Sequence, residues 1–269
     1  MTCTFSTPGT YPIIRSSYAS SASCPDSFFP NGLTVSNRTS NATFRIDPSD
    51  YIGHAIIGNG GYETLSLRLA RQLMEKGGLF LDVGANFGLF TFHVGNLRNV
   101  QVIAVEPGAK NFCRLQKNRL LNPAARVALV NAGLSDREEI VRFENPLAGN
   151  SGTFRVAVDS SVAESLKYLI CLTTLEKLLA EMKAGSVELM KIDVEGFEME
   201  VFKGFDWEGG CQPANVIMEF TDYVYRSDST TDECFDFFLE KGYSPYTVLG
   251  EPYAKGDALP ESNIWWKIN

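Results

Sequence analysis

Residues 81–88 read Leu81-Asp82-Val83-Gly84-Ala85-Asn86-Phe87-Gly88. The apolar start and the two glycines predict a strand, a tight turn and the beginning of a helix. Gly84 lets the backbone approach a ligand, and Gly88 lets the helix pack close to the sheet. The carboxylate of Asp82 would repel phosphate and favours a ligand with a cationic or amino group. The turn therefore predicts a binding site for a ligand without phosphate.

A second acidic residue, Glu106, ends the next predicted strand, 22 residues after Gly84. At that position a carboxylate can accept hydrogen bonds from both hydroxyls of a ribose. S-adenosylmethionine has a ribose, an amino acid end and a sulfonium but no phosphate, so the two acidic positions together favour this cofactor. The alternative is that the glycines form a tight turn and nothing more.

The residues around the turn alternate between short apolar runs and helical stretches. Strands are predicted at 79–83, 101–105, 127–130, 187–194 and 216–220, and helices at 62–76, 109–121, 174–182 and 196–202. This alternation predicts an α/β fold with a parallel sheet covered on both faces. Thr173 and Glu176 form a predicted capping box for the third helix. Residues 140–143 and 154–158 predict an antiparallel excursion, and a helix at 232–241 precedes a terminal strand pair at 243–249 and 263–268.

Length and composition limit the class of protein. With 269 residues, 44% hydrophobic and 21% charged, the chain is long enough for one large globular domain with an appendage. We expect residues 1–50, rich in serine and threonine, to form an extension partly packed on the body, and residues 51–269 to form the main domain. A net charge of −8 disfavours nucleic acid as a partner.

The sequence also predicts a location. No apolar stretch approaches the roughly 20 residues that span a bilayer, and the N-terminus lacks the pattern of a signal peptide. We therefore expect a cytoplasmic protein without a membrane span. Cys113 and Cys171 lie among apolar neighbours and are predicted to be buried thiols in a reducing compartment. The sequence leaves the oligomeric state open.

Several motifs together resemble the FkbM family of S-adenosylmethionine-dependent methyltransferases over residues 60–222. The matching residues are Asp82 to Gly88 with Thr91, Glu106-Pro107, Asn111-Phe112, Leu115, Leu134-Ser135-Asp136, Thr174-Leu175, Lys191-Ile192-Asp193-Val194-Glu195-Gly196-Phe197-Glu198, Lys203-Gly204 and Met218-Glu219. The resemblance implies a class I methyltransferase (Rossmann-like) fold: a mostly parallel seven-stranded sheet of order 3-2-1-4-5-7-6, with helices on both faces. It also implies methyl transfer to a hydroxyl of a carbohydrate or related small molecule.

The resemblance assigns a set of cofactor contacts. They are Glu63, Asp82, Gly84, Ala85, Asn86, Phe87, Gly88, Thr91, Glu106, Pro107, Ser135, Asp136 and Asp193. Within this set, the resemblance implies that Glu106 binds the ribose and that Ser135-Asp136 lie beside the adenine. The methionine end is surrounded by Asp82, Gly84, Asn86 and Gly88. For Glu63, a plain helix-start glutamate is an equally good interpretation.

Three carboxylates are the candidates for catalysis. In an open parallel sheet the ligand lies beyond the carboxyl ends of the strands, where Asp193, Glu195 and Glu219 are expected to converge. Crowding of like charges raises pKa values, so a general base is expected among them, with Lys191 as a neutralising partner. Alternatively, Asp193 and Glu219, with Asp222, bind Mg²⁺.

Other functions stay open at this stage. A protein of the same fold that binds the cofactor without turnover is one alternative, and an N- or C-methyltransferase is another. An NAD-dependent oxidoreductase is a third, although the acidic side chain of Asp82 disfavours it.

Overall fold

The computed structural model describes residues 32–144, 168–209, 211–220 and 231–269, and the backbone of two short strands at 13–14 and 155–156. Within these residues the strands β1 to β14 are, in chain order, Ile13–Ile14, Leu33–Asn37, Ala42–Ile46, Gly78–Val83, Val100–Val105, Arg126–Val130, Gly133–Leu134, Glu139–Glu144, Arg155–Val156, Tyr168–Thr173, Leu189–Ile192, Asn215–Glu219, Tyr243–Thr247 and Asn263–Ile268. The helices α1 to α7 are Tyr51–Asn59, Thr64–Leu73, Leu89–Gly95, Ala109–Leu121, Leu175–Glu181, Glu198–Lys203 and Thr231–Glu240.

The central sheet has seven strands in the order β13-β14-β12-β11-β4-β5-β6. Strands β12, β11, β4, β5 and β6 are mutually parallel, and β14 runs antiparallel to both of its neighbours. Counted along this sheet, the order is 3-2-1-4-5-7-6 with an antiparallel last strand. The predicted class I methyltransferase topology is therefore confirmed.

Alternating side chains of the strands build two cores, one on each face of the sheet. Phe80 belongs to the core that also contains apolar residues of α1, α2 and α3, whereas Leu81 belongs to the core formed with α5, α6 and α7. Both side chains are fully buried. A strand buried on both faces reads as a continuous apolar run, which is why the sequence predicts this sheet well.

The predicted helices and strands have observed boundaries that lie within three residues of the prediction. Helix α4 has the predicted bounds, but β11 ends at Ile192 and α6 begins at Glu198. Between them Glu195 and Gly196 have φ values of 56° and 86°, which neither a strand nor a helix accommodates. The predicted capping box at Thr173 is wrong: Thr174 is the N-cap of α5 and accepts a hydrogen bond from the backbone of Lys177.

Two smaller sheets accompany the central one. Strand β10 pairs antiparallel with β8, and β8 pairs antiparallel with β9, so the predicted antiparallel excursion is present. Strands β2 and β3 form a hairpin within the serine- and threonine-rich region. Val35, Phe44 and Ile46 of this hairpin are buried in the core on the α1–α3 side.

The cysteines depart from the predicted pattern. Cys171 is a free thiol. It is exposed because Ile170 and Leu172 on either side of it point to the other face of β10 and are buried there. Cys113 is buried as predicted, but it is disulfide-bonded rather than a free thiol. In the part of the chain that the structure describes, no helix combines the length and apolar character needed to cross a bilayer.

Candidate active site

Polar side chains gather where the parallel strands end. Lys191 on β11 is aligned with Asp82 on β4, and Glu219 at the end of β12 is aligned with Asn263 at the start of β14. The backbone amide of Asp193 donates to Val83, which continues the strand register one residue past β11. Because side chains two residues apart share a face, Lys191 and Asp193 lie together on the side covered by α1–α3.

The glycine turn after β4 packs closely against the loop that follows β11. Gly84 has a φ of 82°, and a Cβ atom there would lie 1.9 Å from the carbonyl oxygen of Asp193. A Cβ atom on Gly88 would lie 2.4 Å from the ring of Phe92 and 2.7 Å from Leu115. Glycine is therefore required at both positions, at the first because the chain turns against the loop after β11, and at the second because α3 and α4 pack closely.

Glu106 closes the other side of this turn. Its carboxylate accepts hydrogen bonds from the backbone amides of Asn86, at 2.8 Å, and Gly108, at 2.7 Å. Burial raises the pKa of Glu106 from 4.5 to about 7, against the lowering effect of these two bonds. Each carboxylate oxygen retains a free lone pair, so the group can still accept hydrogen bonds from a ligand. Asn86 supplies a further acceptor, since its buried Oδ1 has no hydrogen-bond partner.

A hydrogen bond from a buried side chain orients the carboxylate of Asp82. It is 2% exposed, and its Oδ2 accepts a hydrogen bond from the hydroxyl of the fully buried Thr91. Burial raises the pKa of Asp82 to about 6, with Thr91 and Lys191 acting against the shift. Thr91 therefore contacts the site through Asp82 and orients that carboxylate.

Lys191 lies at the centre of the acidic side chains. It is 2% exposed, its Nζ lies 3.6 Å from Oδ2 of Asp193, and the same atom lies 5.3 Å from the centre of the Phe90 ring. Burial opposes its charge, but the carboxylates of Asp193, Glu63, Glu219 and Asp82 outweigh burial and raise its pKa. Oδ1 of Asp193 has no hydrogen-bond partner. The lysine thus neutralises part of a cluster that would otherwise be strongly repulsive.

Glu195 has the most perturbed carboxylate of this group. It stands in the turn after β11 with a positive φ, and burial together with the charges of Asp193 and Glu219 raises its pKa to about 9. The turn is stabilised by Glu198, whose Oε1 accepts hydrogen bonds from the amides of Gly196, at 3.1 Å, and Val194, at 3.3 Å. Sequence reasoning did not assign Glu198 to the site, although its position two residues after Gly196 signals a side-chain bond to that turn.

Glu63 faces this cluster from the start of α2. It has a φ of 48° and is 9% exposed. Burial raises its pKa to about 7, with Lys191 lowering it and Asp193 raising it. The buried side chain of Asn263 hydrogen-bonds this carboxyl and acts to lower its pKa. Asn263 was not predicted as a site residue, because only the strand register places it beside Glu219.

The remaining predicted residues surround the turn less directly. Ala85 and Phe87 are buried in the core, and the carbonyl of Phe87 accepts a hydrogen bond from Asn118. Pro107 lies next to Gly133 of β7, at 3.7 Å from a Cβ atom placed there. Two residues further, Ser135 is buried and its hydroxyl bonds Asp136 at 3.1 Å, while Asp136 is exposed.

The structure describes no metal site within the ranges given above: no group of three or more histidine, cysteine, aspartate or glutamate side chains there is arranged to hold an ion. Asp222, the third member of the predicted magnesium set, lies outside the described residues.

The glycine turn and the carboxylate cluster both fall within one family match, since the profile described as "Methyltransferase FkbM domain" matches residues 82–245. The chain belongs to the FkbM methyltransferase family. This membership confirms the predicted family and the methyltransferase class. The match contains Asp82, Glu106 and Asp193, but it excludes Glu63 and Asn263 on either side.

Two curated relatives of this FkbM methyltransferase are similar over part of their length. One is the hexuronic acid methyltransferase AglP of Haloferax volcanii, 31% identical over 166 residues, which cover 61% of this chain and 64% of the relative. The other is Methyltransferase 1 of Beauveria bassiana, 28% identical over 159 residues, or 53% of this chain and 64% of the relative. The matches thus span less than two thirds of each relative. A solved O-methyltransferase from Bacillus cereus, in complex with SAH, aligns over 83% of this chain and 92% of its own at 11% identity and a TM-score of 0.44.

Proposed function

We propose that the protein is an S-adenosylmethionine-dependent O-methyltransferase that acts on a hydroxyl of a carbohydrate or related small molecule. The observation that carries this proposal is the convergence of Asp193, Glu195 and Glu219 beside the glycine turn, with burial and like charge raising the pKa of Glu195 to about 9. A hydroxyl is a poor nucleophile near neutral pH, and a carboxylate with a raised pKa is a stronger base for its proton.

The residues around the turn fit S-adenosylmethionine. The ionised carboxylate of Glu106 can accept two ribose hydroxyls, and Asp82 favours an amino or sulfonium charge. The unpaired buried oxygens of Asn86 and Asp193 are further acceptors for an amino group. Gly84 brings the turn against the backbone of Asp193, so the acidic loop after β11 lies directly beside the glycine turn. When bound, S-adenosylmethionine supplies a methyl group from its sulfonium and leaves as S-adenosylhomocysteine.

Four residues of the chain have separate roles in the proposed transfer. The ionised form of Glu195, which is the minor form at pH 7 because the pKa is about 9, takes the proton that the acceptor hydroxyl releases as its oxygen bonds to the methyl carbon. Asp193 orients the reacting groups, and Glu219 keeps the pKa of Glu195 high through its charge. A positioned base contributes roughly 10² to 10⁴ in rate. Lys191 balances the cluster without reaching solvent, which suits a neutralising rather than a catalytic role.

The acceptor class rests on three supports. The relative AglP is named as a hexuronic acid methyltransferase, which favours a sugar or glycan. The net charge of −8 disfavours nucleic acid. An alcohol hydroxyl must lose its proton when it is methylated, so a candidate base at Glu195 favours O-methylation over cofactor binding without turnover. N-methylation is the alternative that the assay must distinguish.

The test is methyl transfer from isotopically labelled S-adenosylmethionine to a panel of sugars, glycans and amines, with the labelled atom located by mass spectrometry. We expect label on a hydroxyl oxygen, loss of transfer in Glu195→Gln, and retained binding of S-adenosylhomocysteine. Label on nitrogen, or no transfer to any hydroxylated acceptor, would contradict the proposal. Parallel reactions with magnesium and with a chelator test the alternative magnesium role of Asp193 and Glu219.

Two further features belong to the proposal. We infer that residues 1–50 extend a methyltransferase domain of residues 51–269. We also propose a cytoplasmic location. The disulfide of Cys113 provides a test of this proposal, because disulfides are rare in reducing compartments. Because Cys113 is buried, alkylation is carried out on freshly lysed cells under denaturing conditions without reductant. Alkylation of Cys113 would then support the cytoplasm, and its protection from alkylation would contradict it.

A further inference from the structure

The hairpin formed by β2 and β3 packs directly against the glycine turn, residues 84–88, although it lies outside the family match. The fully buried ring of Phe44 in β3 meets the ring of Phe87 edge to face, with centroids 6.0 Å apart and planes at 89°. The centroid of the same Phe44 ring lies 6.1 Å from that of Phe92 in α3, the helix that begins directly after the turn. The hairpin thus touches the turn at which the cofactor is proposed to bind.

A side-chain amide adds hydrogen bonds to this contact. Asn118 of α4 is fully buried. Its Oδ1 accepts a hydrogen bond from the backbone amide of Arg45 in β3, at 2.7 Å, and its Nδ2 donates to the backbone carbonyl of Phe87, at 2.9 Å. One side chain therefore joins the backbone of the hairpin to the backbone of the turn. Because the bond to Phe87 is buried, its removal is costly.

The backbone of the turn needs support from its surroundings. Asn86 has a φ of 51°, in the left-handed region that residues with a Cβ atom rarely adopt. Such a conformation persists where neighbouring contacts fix it. The amide of Asn86 donates to the carboxylate of Glu106, and the carbonyl of the next residue, Phe87, accepts from Asn118. These two bonds fix the backbone on both sides of the peptide between Asn86 and Phe87.

We propose that the β2–β3 hairpin is part of the cofactor site, and that Phe44 and Asn118 are positioning residues that hold the glycine turn in its binding conformation. The inference rests on the proposed placement of S-adenosylmethionine at this turn, and it gives the hairpin a function. If the turn became ordered only on binding, the ordering would reduce affinity. Loss of either residue should therefore weaken cofactor binding and leave the rate at saturating cofactor unchanged.

A second buried amide at the end of α4 provides a matched control. Asn122 accepts a hydrogen bond from the backbone amide of Thr43 in β3, at 3.0 Å, and donates to the carbonyl of the same residue, at 2.7 Å. The other side-chain hydrogen bonds that the structure describes for Asn122 go to Asn96 and to the carbonyl of Asn118, and none goes to the turn. Asn122 thus binds the same strand by the same chemistry without holding the turn.

The experiment compares the full-length variants Asn118→Ala, Phe44→Leu and Asn122→Ala with the wild type. Calorimetry measures the dissociation constant of S-adenosylhomocysteine, and urea titration measures the free energy of unfolding. Hydrogen exchange followed by mass spectrometry measures the protection of residues 84–88 in the protein without cofactor. Glu106→Gln is the reference for the cofactor site itself, because it removes the proposed acceptor of the ribose hydroxyls.

We expect Asn118→Ala to weaken binding of S-adenosylhomocysteine about three- to tenfold, as for the loss of one hydrogen bond. Exchange at residues 84–88 should become about fivefold faster. Phe44→Leu should change both quantities in the same direction, and it keeps a large apolar side chain in the core if Asn118→Ala does not fold. Asn122→Ala should lower the free energy of unfolding as Asn118→Ala does, while cofactor affinity and exchange at the turn stay within about twofold of the wild type.

Unchanged affinity and unchanged exchange at the turn in both Asn118→Ala and Phe44→Leu would overturn the inference. An equal loss of affinity in Asn122→Ala would also overturn it, because the effect would then come from general destabilisation. The cofactor site is judged separately by Glu106→Gln. If that variant weakens binding and the Asn118 and Phe44 variants do not, the role of the hairpin alone is refuted, whereas unchanged binding in Glu106→Gln contradicts the proposed placement of the cofactor.

Discussion

Binding of S-adenosylhomocysteine should release a proton from Glu106. Burial raises the pKa of this carboxyl to about 7 in the free protein, while its two oxygens already accept the amides of Asn86 and Gly108. Only the ionised form has acceptors free for both ribose hydroxyls. The protein must therefore deprotonate Glu106 before or during binding, so affinity is linked to pH.

The size of the effect follows from the pKa. With a pKa of about 7, roughly nine molecules in ten carry the proton at pH 6, and roughly one in ten at pH 8. The affinity for S-adenosylhomocysteine should therefore rise about tenfold between pH 6 and pH 8, equivalent to about 1.4 kcal/mol. The sign follows because the free protein holds the proton and the complex does not.

Calorimetry in two buffers of different ionisation enthalpy measures both the affinity and the number of protons released. We expect nearly one proton at pH 6 and nearly none at pH 8. Glu106→Gln should abolish the pH dependence and weaken binding about 10- to 100-fold at pH 8, since hydrogen bonds to a charged group are lost. Glu63→Gln is the matched control because burial also raises the pKa of Glu63 to about 7.

The reasoning is refuted if the dissociation constant changes less than twofold between pH 6 and pH 8 and no proton is released. If Glu63→Gln removes the pH dependence and Glu106→Gln retains it, the linked group is Glu63. Asp82, with a pKa of about 6, would place the midpoint one pH unit lower.

Three further predictions concern the rate and the stability of the site. Glu195→Gln should lower kcat by about 10²- to 10⁴-fold and remove the rise of the rate with pH. Its affinity for the cofactor, measured by calorimetry, should stay within about threefold of the wild type. An unchanged pH–rate profile would exclude Glu195 as the base. Lys191→Met should lower the free energy of unfolding by about 3–5 kcal/mol in urea titrations at pH 8, because the buried carboxylates lose their counter-charge. The loss should be smaller at pH 5, where Glu63 is protonated. Equal losses at both pH values would contradict this explanation. Gly84→Ala should cost more stability and cofactor affinity than Gly242→Ala, which has a similar φ of 83° but no atom within 4 Å of its added Cβ; equal melting temperatures would show that the contact with the loop after β11 carries no cost.

Much of the fold was predictable because its strands are buried on both faces. Apolar runs and helical periodicity located the central strands and α4, whose bounds match the prediction. The errors occurred where one residue changes the backbone direction. The positive φ of Glu195 shortened β11, and Thr174 rather than Thr173 capped α5. Such choices depend on local hydrogen bonds that a sequence pattern does not specify.

The cysteines show another limit. Burial of a residue can be inferred from its neighbours when they alternate, but the neighbours of Cys171 do not reveal which face of β10 is covered. The bonded state of Cys113 depends on contacts between distant parts of the chain, which composition does not determine.

By itself, the sequence determined the family, the α/β sheet and the identities of the acidic residues in the matched region. Each of these depends on which residue types occur a few positions apart along the chain. Only the tertiary structure decided that Glu63 and Asn263, 200 positions apart, meet over the end of β12, and that Tyr51 pairs with Tyr62 beside them. It also decided the charge balance, since the pKa of Glu195 depends on burial and on carboxylates delivered by two different strands. Spacing along the chain carries information about local structure, whereas desolvation and Coulomb interactions depend on distances that exist only after the chain has folded.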